Sequence, residues 1–309
     1  MADYIYVYNG KRIAPSSGKV LGIKMPPVPE KTLRFKFSNT SFNPVTDTYS
    51  NAGISTWHWT PVSPSIGVYD FTYNYTNWVP VLSSGTTIIL NDVRDTTNRY
   101  PLNRISIVGD VAIIDSNLAG VTSVDYLFHP IRNTLTKVNL KNTSSLTSGY
   151  NWGHSGGVGK LTEVYVEDTS NMTTMENMFT GCTALTTVNP LRADSCTTTK
   201  SMFSSCKSLS QPVSMSNMTS VTNASGMFQQ CTSLKSVPLF DTISAEDVTN
   251  MFSGCTAVES GALALYQQMS TQTTPPTNYS NCFTKCGSNT VTGAAELAQI
   301  PTSWGGTMA

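Results

Sequence analysis

Seven cysteines and three histidines are the side chains in this chain with the clearest capacity for chemistry. Five of the thiols, Cys182, Cys206, Cys231, Cys255 and Cys286, hold the same place in a recurring phrase, which predicts that they line up as a column. Parallel rungs sit ~4.8 Å apart, and identical side chains pointing the same way at that spacing have the wrong mutual orientation for a disulfide. Small buried thiols are therefore expected. Cys196 occupies the slot of Met172 and Val221, again a core slot. Cys282 and Cys286 stand three residues apart with neither a second pair nor a histidine to complete a zinc site, so no metal is expected.

The histidines, His58, His129 and His154, fall in different parts of the chain, and none sits beside a Ser or Cys in an elbow-type glycine setting. Gly153-His154-Ser155-Gly156-Gly157-Val158-Gly159-Lys160-Leu161 has the look of a phosphate loop. Its first glycine is one residue too early, and Leu161 stands where Ser or Thr would hold magnesium. A flexible glycine loop is the expectation. The carboxylates are scattered, without the paired setting of a glycosidase. No catalytic residue and no cofactor is expected.

The element that positions the thiols is the phrase itself: Met178-Phe179-Thr180-Gly181-Cys182, Met202-Phe203-Ser204-Ser205-Cys206, Met227-Phe228-Gln229-Gln230-Cys231 and Met251-Phe252-Ser253-Gly254-Cys255. The starts lie 24, 25 and 24 residues apart. A fixed period of this length marks a stack of units, each one supersecondary element that cannot bury its apolar face alone. Leu185, Leu209, Leu234 and Val258 follow each Cys by three residues. Three and six residues before each Met stand Met175 and Met172, Thr199 and Cys196, Ala224 and Val221, then Val248 and Ala245. Steps of three and four predict one face of a short helix. The alternation in Val164/Val166, Val213/Met215 and Val237/Leu239 predicts a short strand after it. The expected architecture is an α/β solenoid of short helix plus strand rungs, preceded by a small antiparallel β domain and an N-terminal arm.

Composition excludes several classes of function. Charged residues are only 12%, and Lys+Arg and Asp+Glu are balanced at 19 each, so no basic stripe exists to neutralise nucleic-acid phosphates. No run of apolar residues is long enough for a membrane span. The first residues, Met1-Ala2-Asp3-Tyr4-Ile5-Tyr6-Val7-Tyr8, lack the basic and apolar regions of a signal peptide, and the chain is expected not to be exported by its own sequence.

In chain order, residues 1–30 hold one candidate strand, Tyr4 to Tyr8, and close on Pro26-Pro27-Val28-Pro29, a stiff connector. The segment is either a tail or an arm that docks by strand addition through Tyr4, Tyr6 and Tyr8. Residues 31–99 form the aromatic β domain, with Leu33/Phe35/Phe37, Trp57/Trp59 and Tyr69 to Tyr75 in alternation. Its Trp and Tyr side chains suit either a core or glycan stacking. Residues 100–309 form the repeat array and its cap. The array is degenerate before Leu161, and Lys141 to Lys160 reads as a Ser/Gly-rich insertion carrying Tyr150, Trp152 and His154. The next phrase, Cys282-Phe283-Thr284-Lys285-Cys286, starts 31 residues after Met251, with a helical stretch at Gly261 to Met269 between them. Ala294 to Ile300 reads as a final capping helix.

The Met-Phe-x-x-Cys, Leu, Val progression, with Asp241-Thr242 and Val248-Thr249-Asn250-Met251-Phe252, resembles the BspA-like leucine-rich repeats of bacterial surface proteins. The likeness covers residues 160 to 290 well and 100 to 160 loosely. Phe37 to Pro44, Gly261 to Gln268 and Val291 to Ala298 also resemble segments that flank such repeats in proteins of gut bacteria and their tailed phages. The resemblance implies a fold more than a ligand. It directs attention to the strand residues that face outward, Asn139, Tyr165, Asn189, Ser214 and Pro238, as a ribbon for glycan or protein, although a solvated sheet face has the same composition. Tyr150 and Trp152 in the insertion are the other candidates.

Two readings follow. In the first, the chain is a non-enzymatic virion protein of a tailed phage, a fibre or appendage. Its arm binds other virion proteins and its array touches the host surface. By analogy with phage fibres, which are usually trimers, a homo-oligomer is expected. In the second it is a bacterial surface adhesin. No nucleic acid and no membrane insertion are expected in either.

Overall fold

The computed structural model describes residues 118–308, apart from 119–121, 127, 129–131, 134, 153–156 and 241–243, together with the backbone of nine short strands before residue 118. Strands β1 (Tyr6–Tyr8) and β2 (Lys11–Ile13) pair antiparallel across Asn9-Gly10, a dipeptide that favours tight hairpin turns. One face of the expected docking strand is thus already paired within the chain. Tyr4 lies outside the described residues.

An eight-stranded sheet then carries the chain from the aromatic module into the array. Strands β3 (Lys31–Lys36), β4 (Trp59–Ser63), β5 (Val68–Tyr73) and β7 (Thr86–Ile89) pair antiparallel in the order β4-β5-β3-β7. Strands β9 (Val111–Asn117), β10 (Leu135–Lys141), β11 (Glu163–Val166) and β12 (Thr187–Val188) continue from β7 in parallel. The sheet therefore crosses the boundary drawn at residues 99 and 100. The short pair β6 (Val81–Leu82) and β8 (Ser106–Ile107) is also parallel. Farther along, pairing shortens to β13 (Leu191–Arg192) with β14 (Met215–Ser216), and Val237/Leu239 forms no strand, only a bridge from Ser236 to Ser260 beside it.

From residue 122 onward the chain winds in stacked coils. Parallel bridges link Ser123, Ser148, Thr174, Thr198, Asn223, Asp247 and Asn278, each to its counterpart one coil away. Between bridge and phrase the burial repeats every third residue: Met172, Met175 and Met178 are buried, as are Cys196, Thr199 and Met202, then Val221, Ala224 and Met227. The phrase itself is not helical. Its amides point alternately in two directions. Met178, Thr180 and Cys182 N–H donate three residues back, to Met175, Asn177 and Phe179 carbonyls, while Asn177, Phe179 and Gly181 N–H donate to Lys200, Met202 and Ser204 of the next coil at 2.8–2.9 Å. Two left-handed residues per coil enforce this winding: Asn177 and Gly181, Ser201 and Ser205, Gly226 and Gln230, Asn250 and Gly254, Asn281 and Lys285, all with φ between 52° and 80°. A helix does not survive two such residues in five; Gly and Asn, which take positive φ at least cost, hold six of these ten positions, and Ser201, Ser205, Gln230 and Lys285 the rest.

The residues Lys141 to Lys160 are another correction. Thr143, Leu146, Gly149 and Trp152 are buried at three-residue spacing, and Gly149 N–H donates to Thr174 at 3.0 Å. This stretch is a coil of the array rather than an insertion, at least up to Trp152. Gly157 has φ +65, and a Cβ there would sit 2.3 Å from the Gly181 carbonyl carbon, so the coils meet backbone to backbone.

The core is one continuous cluster running along the stack. Phe179, Phe203, Phe228 and Phe252 are stacked with centroids 5.2–5.3 Å apart, and Phe283 follows at 6.1 Å. Helix α1 (Ala262–Thr271) accounts for the longer step between the last two phrases, burying Ala262, Leu265 and Met269. Helix α2 (Val291–Leu297) is capped by the Thr290 hydroxyl, which accepts from Gly293 N–H at 3.0 Å. The Glu296 carboxylate accepts from Gly261 and Leu263 N–H at 3.2 and 3.1 Å, which ties α2 to the start of α1. Trp304 closes the stack: it lies on Tyr279 at 4.4 Å, and its carbonyl takes the Phe283 N–H that a further coil would take.

Candidate functional site

The outward strand ribbon begins with a parallel register that sets Lys137 beside Glu163, Asn139 beside Tyr165, and Glu163 beside Thr187. Lys137 Nζ and Glu163 Oε2 are 2.9 Å apart and both about half exposed, an arrangement of little net energy. Tyr165 is 43% exposed and stands out as the large side chain of the ribbon. Asn139 is half-buried, and Ser214, two coils beyond Tyr165, is exposed, its carbonyl accepting from Leu191 N–H at 3.0 Å.

Asn189 has a different task. Its Oδ1 accepts from Val166 N–H at 2.8 Å and its Nδ2 donates to the Val166 carbonyl at 2.9 Å, so the amide completes the edge of β11 as a strand residue would. Thr143 and Thr169 do the same work by hydroxyl, bonding the backbones of Asp168 and Arg192. Asn189 is therefore framework, and the contact part of the ribbon reduces to Asn139, Tyr165 and Ser214.

Trp152 is also removed from the surface. It is fully buried between Phe128 and Phe179, edge-to-face with both at 5.0 and 5.3 Å. It extends the aromatic stack toward the N-terminus. His154 lies outside the described residues, as do His58 and His129.

Tyr150 stays at the surface, in another column of the coils. It is half-buried, its ring edge-on to that of Tyr126 at 5.5 Å. The hydrogen bond to Tyr126, then partial burial, then the neighbouring Tyr126 and Glu176 push the Tyr150 hydroxyl above its ordinary pKa. Asp125 Oδ1 accepts from Tyr150 N–H at 3.0 Å and from the Ser148 hydroxyl. Glu176 Oε1 stands 3.8 Å from Lys200 Nζ. The sequence reading names Tyr150 but not Asp125, Tyr126, Glu176 or Lys200, because the first of these coils carry no phrase to align them by.

The thiols offer no chemistry at the surface. All seven cysteines are free and buried. Cys206, Cys231 and Cys255 each donate weakly to the carbonyl of Phe179, Phe203 and Phe228 in the preceding coil, at 3.0–3.2 Å. Burial pushes Cys182 up to about 12 and Cys196 up to about 11, so neither is a thiolate nucleophile near neutral pH. Among the described residues no three His, Cys, Asp or Glu side chains converge as metal ligands, and no helix is long and apolar enough to cross a membrane.

Residues 158–264 match the model of a family described as "Mycoplasma protein of unknown function, DUF285". The match takes in all four Met-Phe-x-x-Cys phrases and ends within α1. No curated protein and no solved structure matches the chain.

Proposed function

We propose that the chain is a non-enzymatic structural protein of a tailed phage particle, with its coils forming a leucine-rich-repeat solenoid of the BspA-like kind that recognises the host cell surface. The observation that carries this reading is the unlike treatment of the two ends of the array. At the C-terminal end Trp304 and the α1/α2 pair close the stack. At the N-terminal end its sheet runs on into the antiparallel module. Such a polarity suits an appendage held at one end and presented at the other. The likeness of Phe37 to Pro44, Gly261 to Gln268 and Val291 to Ala298 to segments that flank such repeats in proteins of gut bacteria and their tailed phages is compatible with the same assignment. Docking falls to residues 1–30, with Tyr4, Tyr6 and Tyr8 as contacts to other virion proteins, and the assembled form is a homo-oligomer.

A second reading, a bacterial surface adhesin, is favoured by one finding: the matched family is described from Mycoplasma, a cellular organism. Sedimentation of particles with the full chain and with a chain lacking residues 1–30 separates the two. The phage reading expects the full chain to travel with the particle and the shortened one to stay behind. If neither associates, the adhesin reading takes its place.

A further inference from the structure

Several columns of the array keep one residue type from coil to coil. Phenylalanine recurs at 179, 203, 228, 252 and 283, cysteine at 182, 206, 231, 255 and 286, and threonine at 147, 173, 197 and 222. These repetitions have a mechanical cause: rings stack, thiols share a carbonyl slot, and Thr147, Thr173 and Thr197 hydroxyls donate to the carbonyl of the preceding coil at 3.0–3.1 Å.

Another column is mixed in size and charge. Asp125, Tyr150, Glu176 and Lys200 follow one another in it, before it settles to Ser225, Thr249 and Ser280. Its alignment is fixed by backbone bonds, since Tyr126, Asn151, Asn177 and Ser201 N–H donate to the Tyr150, Glu176, Lys200 and Ser225 carbonyls at 2.8–3.2 Å. Stacking at this spacing rewards like neutral neighbours or opposite charges. A tyrosine between two carboxylates is neither. Tyr150 instead sets its ring edge-on to that of Tyr126 at 5.5 Å, which leaves an aromatic pair flanked by Asp125 and by the Glu176–Lys200 ion pair. Their side chains are also accessible, Asp125, Tyr126, Tyr150 and Glu176 half-buried and Lys200 exposed.

We propose that Asp125, Tyr126, Tyr150, Glu176 and Lys200 form a carbohydrate-binding site that seats a neutral pyranose of a surface glycan. The inference rests on the recognition reading above and gives it a place and a ligand class. An aromatic ring matches the apolar C–H face of a pyranose. Ionised carboxylates are acceptors only and take two sugar hydroxyls as donors, while Lys200 offers donors to ring or hydroxyl oxygens. Asp125 is already held by Tyr150 N–H and Ser148, and the Tyr150 hydroxyl is held by Tyr126, so ordering costs little on binding. Two carboxylates against one ammonium repel sulfate, phosphate and sialic acid, which leaves neutral sugars as the class.

The test is an array of neutral hexose and N-acetylhexosamine oligosaccharides beside sialylated and sulfated ones, probed with the full chain and with Tyr150→Ala, Asp125→Asn, Tyr165→Ala and, as a control at an exposed position of another column, Lys207→Ala. Thiols inaccessible to Ellman's reagent certify that each variant is folded. The expected result is binding to neutral glycans, at least tenfold weaker in Tyr150→Ala and Asp125→Asn and unchanged in Lys207→Ala. Binding only to anionic glycans, no binding to any, or binding lost through Tyr165→Ala alone overturns the site. Should the chain bind host cells while the neutral glycans stay blank, this site fails and the recognition reading survives. Should the glycan pattern appear in a chain that never joins a particle, the site stands and the virion reading fails.

Discussion

Phe203, Phe228 and Phe252 each stack on two other phenylalanines, one per neighbouring coil, so removing one opens a void with no side chain free to fill it. Phe228→Ala is expected to cost about 3–5 kcal/mol, read as a lower urea midpoint, with Phe228→Leu costing visibly less. The thiols report on the same core through pH. Burial raises Cys182 from 9.0 to about 12 and Cys196 from 9.0 to about 11. A folded value above the unfolded one means the stability these groups carry is complete below pH 9.0 and is lost as pH climbs through the folded values. Urea midpoints should therefore hold steady up to about pH 9 and fall beyond it; a midpoint that rises between pH 9 and 11 would contradict the buried column. The slot shared by the cysteines was legible because identical residues at one period must land together. Trp152 was not, since its coil has Trp-Gly where the later coils have Met-Phe, and an aromatic beside serines and glycines has a surface residue's neighbours.

At the scale of the element, the apolar spacing was read correctly as a buried line and incorrectly as a helix. Residues 172, 175, 178, 182 and 185 fit steps of three and four, which a helix face and a coil of consecutive turns share. The signal that separates them sits at the other positions. Asn177, Ser201, Gly226, Asn250 and Asn281 precede the Met or Cys, and all have positive φ. Asn and Gly at a fixed register are turn chemistry rather than helix chemistry. Asn250→Gly is accordingly expected to leave the thermal midpoint nearly unchanged, while Asn250→Val, β-branched in a left-handed position, should destabilise by about 1–2 kcal/mol. Equal losses in the two variants would show that the amide side chain, not the backbone, is what that position needs. The short helices α1 and α2 fall close to where composition placed them, but the bond from Glu296 to the start of α1 joins residues 35 and 33 apart and leaves no local trace in sequence.

Across the whole molecule, the array depends on its two closures. Phe283 lies against Trp304 at 6.5 Å, and Tyr266 and Tyr279 pack on the same indole. Trp304→Ala should expose Phe283 and the last coil to water, with increased binding of a hydrophobic dye and earlier loss of the C-terminal coils in hydrogen exchange. Uniform exchange along the array would contradict a capping role. Tyr165 and Tyr150 lie in separate columns, and the sequence could not rank them, because a recognition residue and a solvated one carry the same letter. What distinguishes them is neighbours in space: the Tyr165 ribbon holds an exposed ion pair and a framework amide, whereas Tyr150 pairs its ring with Tyr126 among Asp125, Glu176 and Lys200.

The most direct test of the account is competition for the host surface. Host cells are incubated with the purified full chain, and adsorption of the phage particle to which the proposal assigns it is then measured. Recognition by the array predicts a dose-dependent loss of adsorption that saturates with the chain and is largely relieved by Tyr150→Ala. Undiminished adsorption in the presence of excess folded chain would contradict it.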